Sequence, residues 1–315
     1  MKRAIFISAI TVFIGVLAFC DTANQVTFHK QENQIDVLVN GEMVTSYVIT
    51  DTLTKPVLYP VSTLNGLRVN RGYPFKDVEG ESHDHPHHAG IFFTYDKVND
   101  SGFWNNTHYP PQIQHTGIEQ MAEGDSGLLE TTSQWVSKDN EPLLLEERKM
   151  VFIPQENEYY IDFTITLSAM DETVTFEDTK EGMFAIRVAP WLKEGETGKY
   201  SSSNGDVNEK GIWGKRAKWV KLEGHKNDQK AGIAIFNHPS SVNYPTFWHA
   251  RGYGLFSANP LGQYVFQNTR GVEDPEEFAL ELDPGKSAVF KFRMVIYDGA
   301  RSPEEIEQIF TNYKK

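Results

Sequence analysis

The sequence predicts an all-β protein, a large antiparallel β-sandwich with one short helix at its C-terminal end. Three observations predict this fold class. Apolar and polar residues alternate with the period of half-buried strands, turn residues separate the alternating stretches, and helix signals are confined to the last residues. The strands continue without a break in composition, so we expect a single domain over residues 26–315.

Turn residues mark the hairpins of this sandwich along the chain. They are Asn40-Gly41 between 35–39 and 43–49, Asp139-Asn140 between 128–136 and 143–153, and Asp283-Pro284-Gly285 between 278–282 and 290–296. Asn-Gly is the typical pair of a two-residue hairpin turn. Residues 161–167 alternate large apolar side chains with polar ones, which indicates a strand with one buried and one solvated face.

The C-terminal segment carries the signals of a helix start. Ser302 can cap the helix, Pro303 suits its first position, and Glu305 completes a capping box. Apolar residues then recur on one face of residues 306–310. We therefore expect a single short helix over 303–313.

The N-terminus has the form of a signal peptide over residues 1–20. Two basic residues precede an apolar run over 4–19, and a polar linker follows at 21–25. The apolar run is short for a membrane span. Cys20 lies where a lipoprotein signal places its acylated cysteine, although Phe19 stands where a small residue is expected. We expect a periplasmic or exported protein, and lipid anchoring at Cys20 and ordinary cleavage near it both stay open.

Composition excludes one class of partner and leaves another open. Lys and Arg number 30 against 43 Asp and Glu, a net charge of −13. Nucleic acid is bound through clustered basic residues, so it is not an expected partner. Aromatic residues make up 12% of the chain and include six Trp. Such rings fill a sandwich core or stack on sugar rings, and composition alone fits both.

Six of the ten histidines fall between residues 83 and 115. Their centre is the segment 83–88, just before an apolar strand. Consecutive imidazoles are rarely needed for packing, because each buried one needs partners for two ring nitrogens. Three interpretations stay open. The segment is a metal site with His83, His85 and His87 as ligands, an acid–base or substrate-binding site, or a polar loop held by His–Asp bonds.

Other candidate residues lie near this segment or at the ends of later strands. They are Arg71 and Trp104 on either side of the histidines, Arg187 on a strand among small side chains, and His238, Trp248, His249 and Arg251 at strand ends. Arginine can clamp an anionic group, and tryptophan can stack on a sugar ring. We expect one concave pocket with Trp104 or Trp248 at its wall, lined by His83, His85, His88, Arg187, His238, His249 and Arg251.

Taken together, these segments resemble the bacterial family labelled methane oxygenase PmoA-like, over roughly residues 30 to 300. The residues that carry the resemblance are Gly66 to Arg71, Pro74, Glu81, His83 to His88, Phe103-Trp104, Gly182 to Arg187, Asn237-His238-Pro239, Trp248 to Leu255 and Asn259-Pro260. The label describes a membrane-embedded subunit, whereas no apolar stretch after residue 20 is long enough to span a bilayer. The resemblance implies an exported protein with a fold similar to the galactose-mutarotase supersandwich, in which His and Glu act as acid–base pairs on sugars.

The predicted function is that of an enzyme acting on a sugar or oligosaccharide, uronic-acid-containing ones included, by histidine acid–base chemistry. Elimination or dehydration, epimerisation and mutarotation all fit. The candidate catalytic residues are His85, His88 and His249, and the candidate substrate-binding residues are Arg71, His83, Trp104, Arg187, His238, Trp248 and Arg251. This interpretation needs no cofactor. The alternatives are a metal-dependent oxidase that uses the histidine cluster and a non-catalytic glycan-binding protein.

Overall fold

Two eight-stranded antiparallel sheets lie face to face in the computed structural model, which describes residues 25–105 and 110–315. The strands are β1 (Val26–Lys30), β2 (Gln34–Val39), β3 (Glu42–Val48), β4 (Val57–Val61), β5 (Ile91–Tyr95), β6 (Gln112–Ala122), β7 (Gly127–Val136), β8 (Pro142–Pro154), β9 (Glu158–Ala169), β10 (Val174–Phe176), β11 (Gly182–Arg187), β12 (Lys199–Ser202), β13 (Trp219–Lys226), β14 (Gln229–Asn237), β15 (Phe247–Ala250), β16 (Leu255–Asn259), β17 (Leu280–Leu282) and β18 (Ser287–Asp298). The predicted fold class is confirmed.

The strand order shows how the chain passes between the sheets. The first sheet has the order β1-β2-β3-β4-β5-β11-β16-β15, and the second has the order β12-β13-β14-β18-β9-β8-β7-β6. Strands β10 and β17 form a small separate pair. Neighbouring strands in both sheets are antiparallel, as the hairpin signals predict.

The core between the sheets follows from the alternation in the sequence. On β9, Ile161, Phe163, Ile165 and Leu167 are buried, and the polar residues between them lie on the other face. The side chain of Phe184, on β11 of the first sheet, packs against the buried apolar residues of the second sheet. Its ring centroid lies 4.8 Å from that of Phe163 and 4.7 Å from that of Phe292. Burial of such rings is the main driving force that holds the sheets together.

Three α-helices lie outside the sheets in the described part of the chain: α1 (Asn208–Ile212), α2 (Gln263–Thr269) and α3 (Pro303–Tyr313). The capping box predicted for α3 is present, because the Ser302 hydroxyl accepts from the Glu305 amide at 3.2 Å and the Glu305 carboxylate accepts from the Ser302 amide at 2.6 Å. The short α1 and α2 were not expected. No helix among the described residues is long and apolar enough to cross a membrane.

The outer face of the first sheet carries a second, smaller apolar cluster, and this face positions the site. Phe92 on β5 and Ala185 on β11 are paired across the strands and belong to it, together with Leu255 on β16. Loop residues Ala89 and Trp104 pack over them. The predicted signal peptide at 1–20 and the linker at 21–25, except Gln25, lie outside the described residues.

Candidate functional site

Arg71 organises the loop that holds the predicted histidines. Its buried guanidinium donates to the backbone carbonyls of four loop residues and to one carboxylate. These acceptors are the carbonyls of Ser82 (3.2 Å), Asp84 (2.8 Å), His85 (2.9 Å) and His88 (3.2 Å), and Oδ1 of Asp84 (2.8 Å). Burial, and then the charge of Arg187, lowers the pKa of Arg71 to about 10, so it stays protonated at neutral pH. The predicted role of Arg71 as a ligand clamp is therefore corrected, since the loop occupies both of its terminal nitrogens.

Arg187 reaches the same loop from β11. It lies on the outer face of the sheet with Ala185, whereas Phe184 points into the core. Its Nη2 donates to both carboxylate oxygens of Asp84, at 3.0 and 3.1 Å, and its guanidinium lies 4.5 Å from the ring centroid of Tyr253. Two buried arginines thus hold one carboxylate.

Asp84 and His85 form the central pair of the site. Nδ1 of His85 lies 2.7 Å from Oδ2 of Asp84. Partial burial raises the pKa of Asp84, but hydrogen bonds from Ser82 and His85 and the charge of Arg187 outweigh it, so that pKa lies well below its ordinary value. Asp84 is therefore ionised, and because a carboxylate only accepts, Nδ1 of His85 carries the hydrogen.

The backbone and ring contacts of His85 hold its side chain at the surface. Its φ of 46° lies in the left-handed region, which is strained for a residue with a Cβ and is found most often at functional sites. The ring lies parallel to His88 at 4.9 Å and to Tyr253 at 5.7 Å between centroids. The side chain is 44% exposed, and Nε2 has no hydrogen bond within the described residues. A ligand from solvent can therefore reach the ring.

His88 lies beneath this pair and is buried. Its Nδ1 is 3.3 Å from Nη1 of Arg187, which can only donate, so the hydrogen of His88 is on Nε2. No group in the described residues bonds to that Nε2. Burial, followed by the neighbouring charges, lowers the pKa of His88 well below its ordinary value. His88 is neutral and shielded from solvent, which suits a supporting position better than the predicted catalytic one.

The two predicted tryptophan platforms are corrected by the structure. Trp104 is buried edge-on against His88, with 5.5 Å between ring centroids, and Trp248 lies in the main core with Nε1 donating to the Ala217 carbonyl at 3.0 Å. Neither offers an open ring face to a sugar. The half-buried ring of Tyr253, stacked on His85, lies at the surface of the site instead.

Two residues from the last part of the chain, His249 and Arg251, do not contact the Asp84–His85 pair directly. His249 on β15 is buried, with Nδ1 2.9 Å from the Lys180 carbonyl, and lies two strands from β11, about 10 Å away. Arg251 forms an ion pair with Glu209 at 2.8 Å and lies 5.5 Å from the Tyr253 ring centroid, at the edge of the site.

The structure does not place His238 with the other predicted site residues. It follows β14 on the other sheet, where its Nδ1 lies 2.8 Å from the Ser240 hydroxyl and its ring packs against Tyr313. Sheet membership separates it from the other histidines, so the predicted single pocket does not include it.

The predicted metal ligands do not converge. Nε2 of His83 lies 2.9 Å from Oδ1 of Asp77, and its ring stacks on Tyr73 at 4.8 Å between centroids. His87 lies edge-on to His85, with 5.6 Å between their ring centroids, whereas His83 points to Asp77 instead. Within residues 25–105 and 110–315, no three His, Cys, Asp or Glu side chains are grouped as a metal site.

The sequence patterns did not single out Asp84 or Tyr253 as site residues. Asp84 had a visible signal, since it stands between two histidines and a carboxylate is the usual partner of an imidazole. Tyr253 lies between two glycines, which gives no indication of its stacking. We name Asp84, His85, His88, Arg187 and Tyr253 the His85 cluster.

Fold and site together define an antiparallel two-sheet sandwich that carries a histidine–carboxylate pair on the outer face of one sheet. The chain belongs to the family of unknown function DUF6807, whose model matches residues 34–311. The resemblance to a family labelled PmoA-like stays a prediction. No curated protein matches the sequence.

Several solved structures are similar to this chain at low identity. A GH36 alpha-galactosidase from Geobacillus stearothermophilus, in complex with raffinose, has 9% identity and a TM-score of 0.42 over 88% of this chain. The chain spans only 41% of that enzyme. A galactose mutarotase-like protein from Lactobacillus casei has 8% identity and a TM-score of 0.40, over 86% of this chain and 100% of that one. A galactose mutarotase related enzyme from Lactobacillus acidophilus has 11% identity and a TM-score of 0.34, over 87% and 97% of the two chains.

Proposed function

We propose that the protein is an enzyme that acts on a sugar or oligosaccharide by acid–base chemistry, with His85 as the residue that transfers the proton. The observation that carries the proposal is the Asp84–His85 pair, in which Nδ1 and Oδ2 lie 2.7 Å apart at the protein surface. A carboxylate bonded to one ring nitrogen fixes the tautomer and leaves the other nitrogen with its lone pair. Nε2 of His85 is then a base.

The surroundings of the pair suit this role. Hydrogen bonds from Arg71 and Arg187 hold Asp84 in one orientation, so its charge can also stabilise the imidazolium that forms when His85 takes a proton. Tyr253 stacks on the same ring and is half-buried beside it, so a sugar bound at His85 would come into contact with this aromatic side chain. Removal of a proton from a sugar carbon or hydroxyl is the step that elimination, epimerisation and mutarotation share.

The experiment is to incubate the full chain with a panel of neutral and acidic oligosaccharides, including unsaturated uronides. Products are followed by mass, where dehydration removes one water and hydrolysis adds one, and by NMR, where epimerisation and mutarotation change signals without a change of mass. His85→Ala should abolish turnover. His225→Ala is the matched control, because His225 is also exposed but lies on β13 in the second sheet.

Two results would contradict the proposal: no product from any sugar of the panel, or full activity of the His85→Ala variant. Saturable binding of a sugar without turnover would instead support the alternative function, that of a non-catalytic glycan-binding protein. That alternative needs the aromatic surface of Tyr253 but has no use for a carboxylate-oriented imidazole.

We further propose that the protein is exported and reaches the periplasm or beyond. Support comes from the sequence of residues 1–20, with its basic start, apolar run and Cys20. Contact with a membrane would then arise through this segment alone, either as a signal peptide or as a lipid anchor on Cys20.

A further inference from the structure

A small cavity lies beside the His85 cluster. Its volume is about 140 Å³, and its walls are formed by Thr52, Leu53, Thr54, Lys55, Val57, Pro74, Pro86, His87 and Ala89. Thr52 and Pro86 are exposed at its rim, whereas Lys55 and Val57 are buried. The ring of His87 joins the cavity to the site, since its centroid lies 5.6 Å from that of His85 and 4.3 Å from that of His88. We call this space the Lys55 cavity.

Lys55 is unusual among the residues of this cavity, because its ammonium group is buried without a partner in the described part of the chain. It is 4% exposed, and no carboxylate or hydrogen-bond acceptor contacts its ammonium within the described residues. Its nearest recorded contact is the ring of Phe92, whose centroid is 5.7 Å from Nζ. Burial alone lowers the pKa of Lys55 to about 7. A desolvated amine without a partner costs stability, and such groups are usually satisfied by a bound ligand or have a functional role.

His87 provides further unpartnered groups on the same wall. Both of its ring nitrogens are buried and have no hydrogen bond within the described residues. Burial, and then the charge of Lys55, lowers the pKa of His87 to about 3, so it is neutral and can donate through one nitrogen. Nearby, the Nε1 atom of Trp104 is another buried donor without an acceptor. Lys55, His87 and Trp104 thus place three donors in this part of the site without a hydrogen-bond acceptor among the residues that the structure describes.

We propose that the Lys55 cavity is an oxyanion subsite in which Lys55 and His87 bind a carboxylate-sized anionic group. Such a group has the acceptor oxygens that these donors lack, and it supplies the missing counter-charge for the ammonium. The volume equals that of roughly four to five waters, which is enough for a carboxylate and the carbon that bears it. The anionic group is the acidic substituent of a sugar at the His85 cluster, or a free small anion.

The assignment of an acidic sugar rests on the proposed function, whereas anion binding at Lys55 does not. The first experiment therefore uses no sugar. The full chain is titrated with acetate and with inorganic phosphate, and binding is followed by the melting temperature and by the imidazole NMR signals of His87. We expect saturable shifts with at least one of the two anions. A flat titration with both would overturn the subsite, and this measurement on the unmodified chain requires no variant to fold.

Variants then locate the binding. Lys55→Met removes the charge and keeps most of the volume, and it should weaken the anion about ten- to hundred-fold. Lys97→Met is the matched control, because Lys97 is 51% exposed beside Glu177 and lies outside the cavity. Equal anion affinity of the unmodified chain and Lys55→Met would overturn the assignment to Lys55.

A last comparison separates the two sources of the anion. If an acidic sugar is the ligand, the protein should bind uronates more tightly than the matching neutral sugars, and Lys55→Met should lose that preference while it still binds the neutral sugars. A preference unchanged in Lys55→Met would overturn the acidic-sugar assignment. Binding of acetate or phosphate without any sugar binding would instead refute the proposed function and leave the subsite as one for a free anion.

Discussion

One carboxylate connects the exposed and the buried halves of the site: Oδ2 of Asp84 lies 2.7 Å from Nδ1 of His85, and Oδ1 lies 2.8 Å from Nη1 of Arg71. The guanidinium that fixes the loop backbone therefore also fixes the partner of the imidazole. The position of the His85 ring and its tautomer thus depend on a buried residue that a ligand cannot touch. Because Asp84 contacts His85 directly and Arg71 acts through Asp84 and the loop backbone, substitutions at these two residues should have different effects.

Asp84→Asn should lower turnover about 10²-fold or more while the far-UV circular dichroism spectrum stays unchanged. The amide is similar in size, but it has no charge to stabilise an imidazolium and has only one acceptor oxygen. Steady-state kinetics on the sugar found with the unmodified chain provide the measurement. Asp77→Asn is the control, because Asp77 is the exposed partner of His83. Comparable losses in both variants would contradict the assignment of Asp84.

Arg71→Met should destabilise the fold by about 3–5 kcal/mol, the usual cost of breaking a buried charged network. Four loop carbonyls and the carboxylate of Asp84 would each lose the hydrogen bond from Arg71. Urea unfolding measures the loss, and hydrogen exchange should show faster exchange in residues 82–88. Arg270→Met serves as control, since Arg270 is exposed and bonds to one carbonyl. Slow exchange of residues 82–88 in Arg71→Met would show that the loop does not depend on this guanidinium.

The sandwich could be predicted from the sequence because its strands bury one face and expose the other. Residues 161–167 and the capping box at Ser302 are local patterns, and the structure confirms both. Where both faces of a strand are covered, the alternation disappears. All four residues of β15 are buried, so its sequence could not show that Trp248 faces the core.

The site was only partly predictable, for a similar reason. The grouping of His85, His87 and His88 is visible because the residues are adjacent in sequence. The contacts of Arg71 with residues 11 to 17 positions later depend on the path of the loop. His238 resembled the others in sequence, but the strand that carries it belongs to the second sheet.

Tyr253→Ala should weaken sugar binding by about ten-fold, because the sugar would lose its contact with the aromatic side chain beside His85. Its stacking on His85 makes it the aromatic surface of the site. Calorimetric titration with the sugar of the activity screen measures the effect. Tyr264→Ala provides the control, because Tyr264 is exposed on α2 and lies outside the His85 cluster. Unchanged affinity of Tyr253→Ala would leave the sugar-stacking role without support.

Cys20→Ser should move the protein from the membrane fraction to the soluble periplasmic fraction if Cys20 carries a lipid anchor. If ordinary cleavage occurs near residue 20, both forms are soluble and have the same mature N-terminus. Fractionation followed by N-terminal mass analysis distinguishes these cases. Recovery of a cytoplasmic chain that still bears residues 1–19 would contradict export itself.

Acidification should destabilise the protein, and His249 should account for a measurable part of the effect. Burial, and then the charge of Lys180, lowers the pKa of His249 to about 3, whereas an unfolded histidine titrates near 6.5. Its Nδ1 faces the Lys180 carbonyl, and the charge of Arg251 lowers the pKa further. Between these two pH values the unfolded chain binds a proton that the folded chain does not. The free energy of unfolding therefore falls as the pH falls below about 6.5.

For a single histidine of this kind, the loss between pH 6.5 and 5.5 is about 1 kcal/mol. Urea unfolding at both pH values measures it, and His249→Gln should show a smaller loss than the unmodified chain. The buried His87 and His88 act in the same direction, so part of the acid sensitivity should remain in this variant. His225→Gln is the control, because His225 is exposed on β13. Identical pH dependence of His249→Gln and the unmodified chain would show that His249 is not the buried neutral group that its contacts with Lys180, Trp213 and Phe266 indicate.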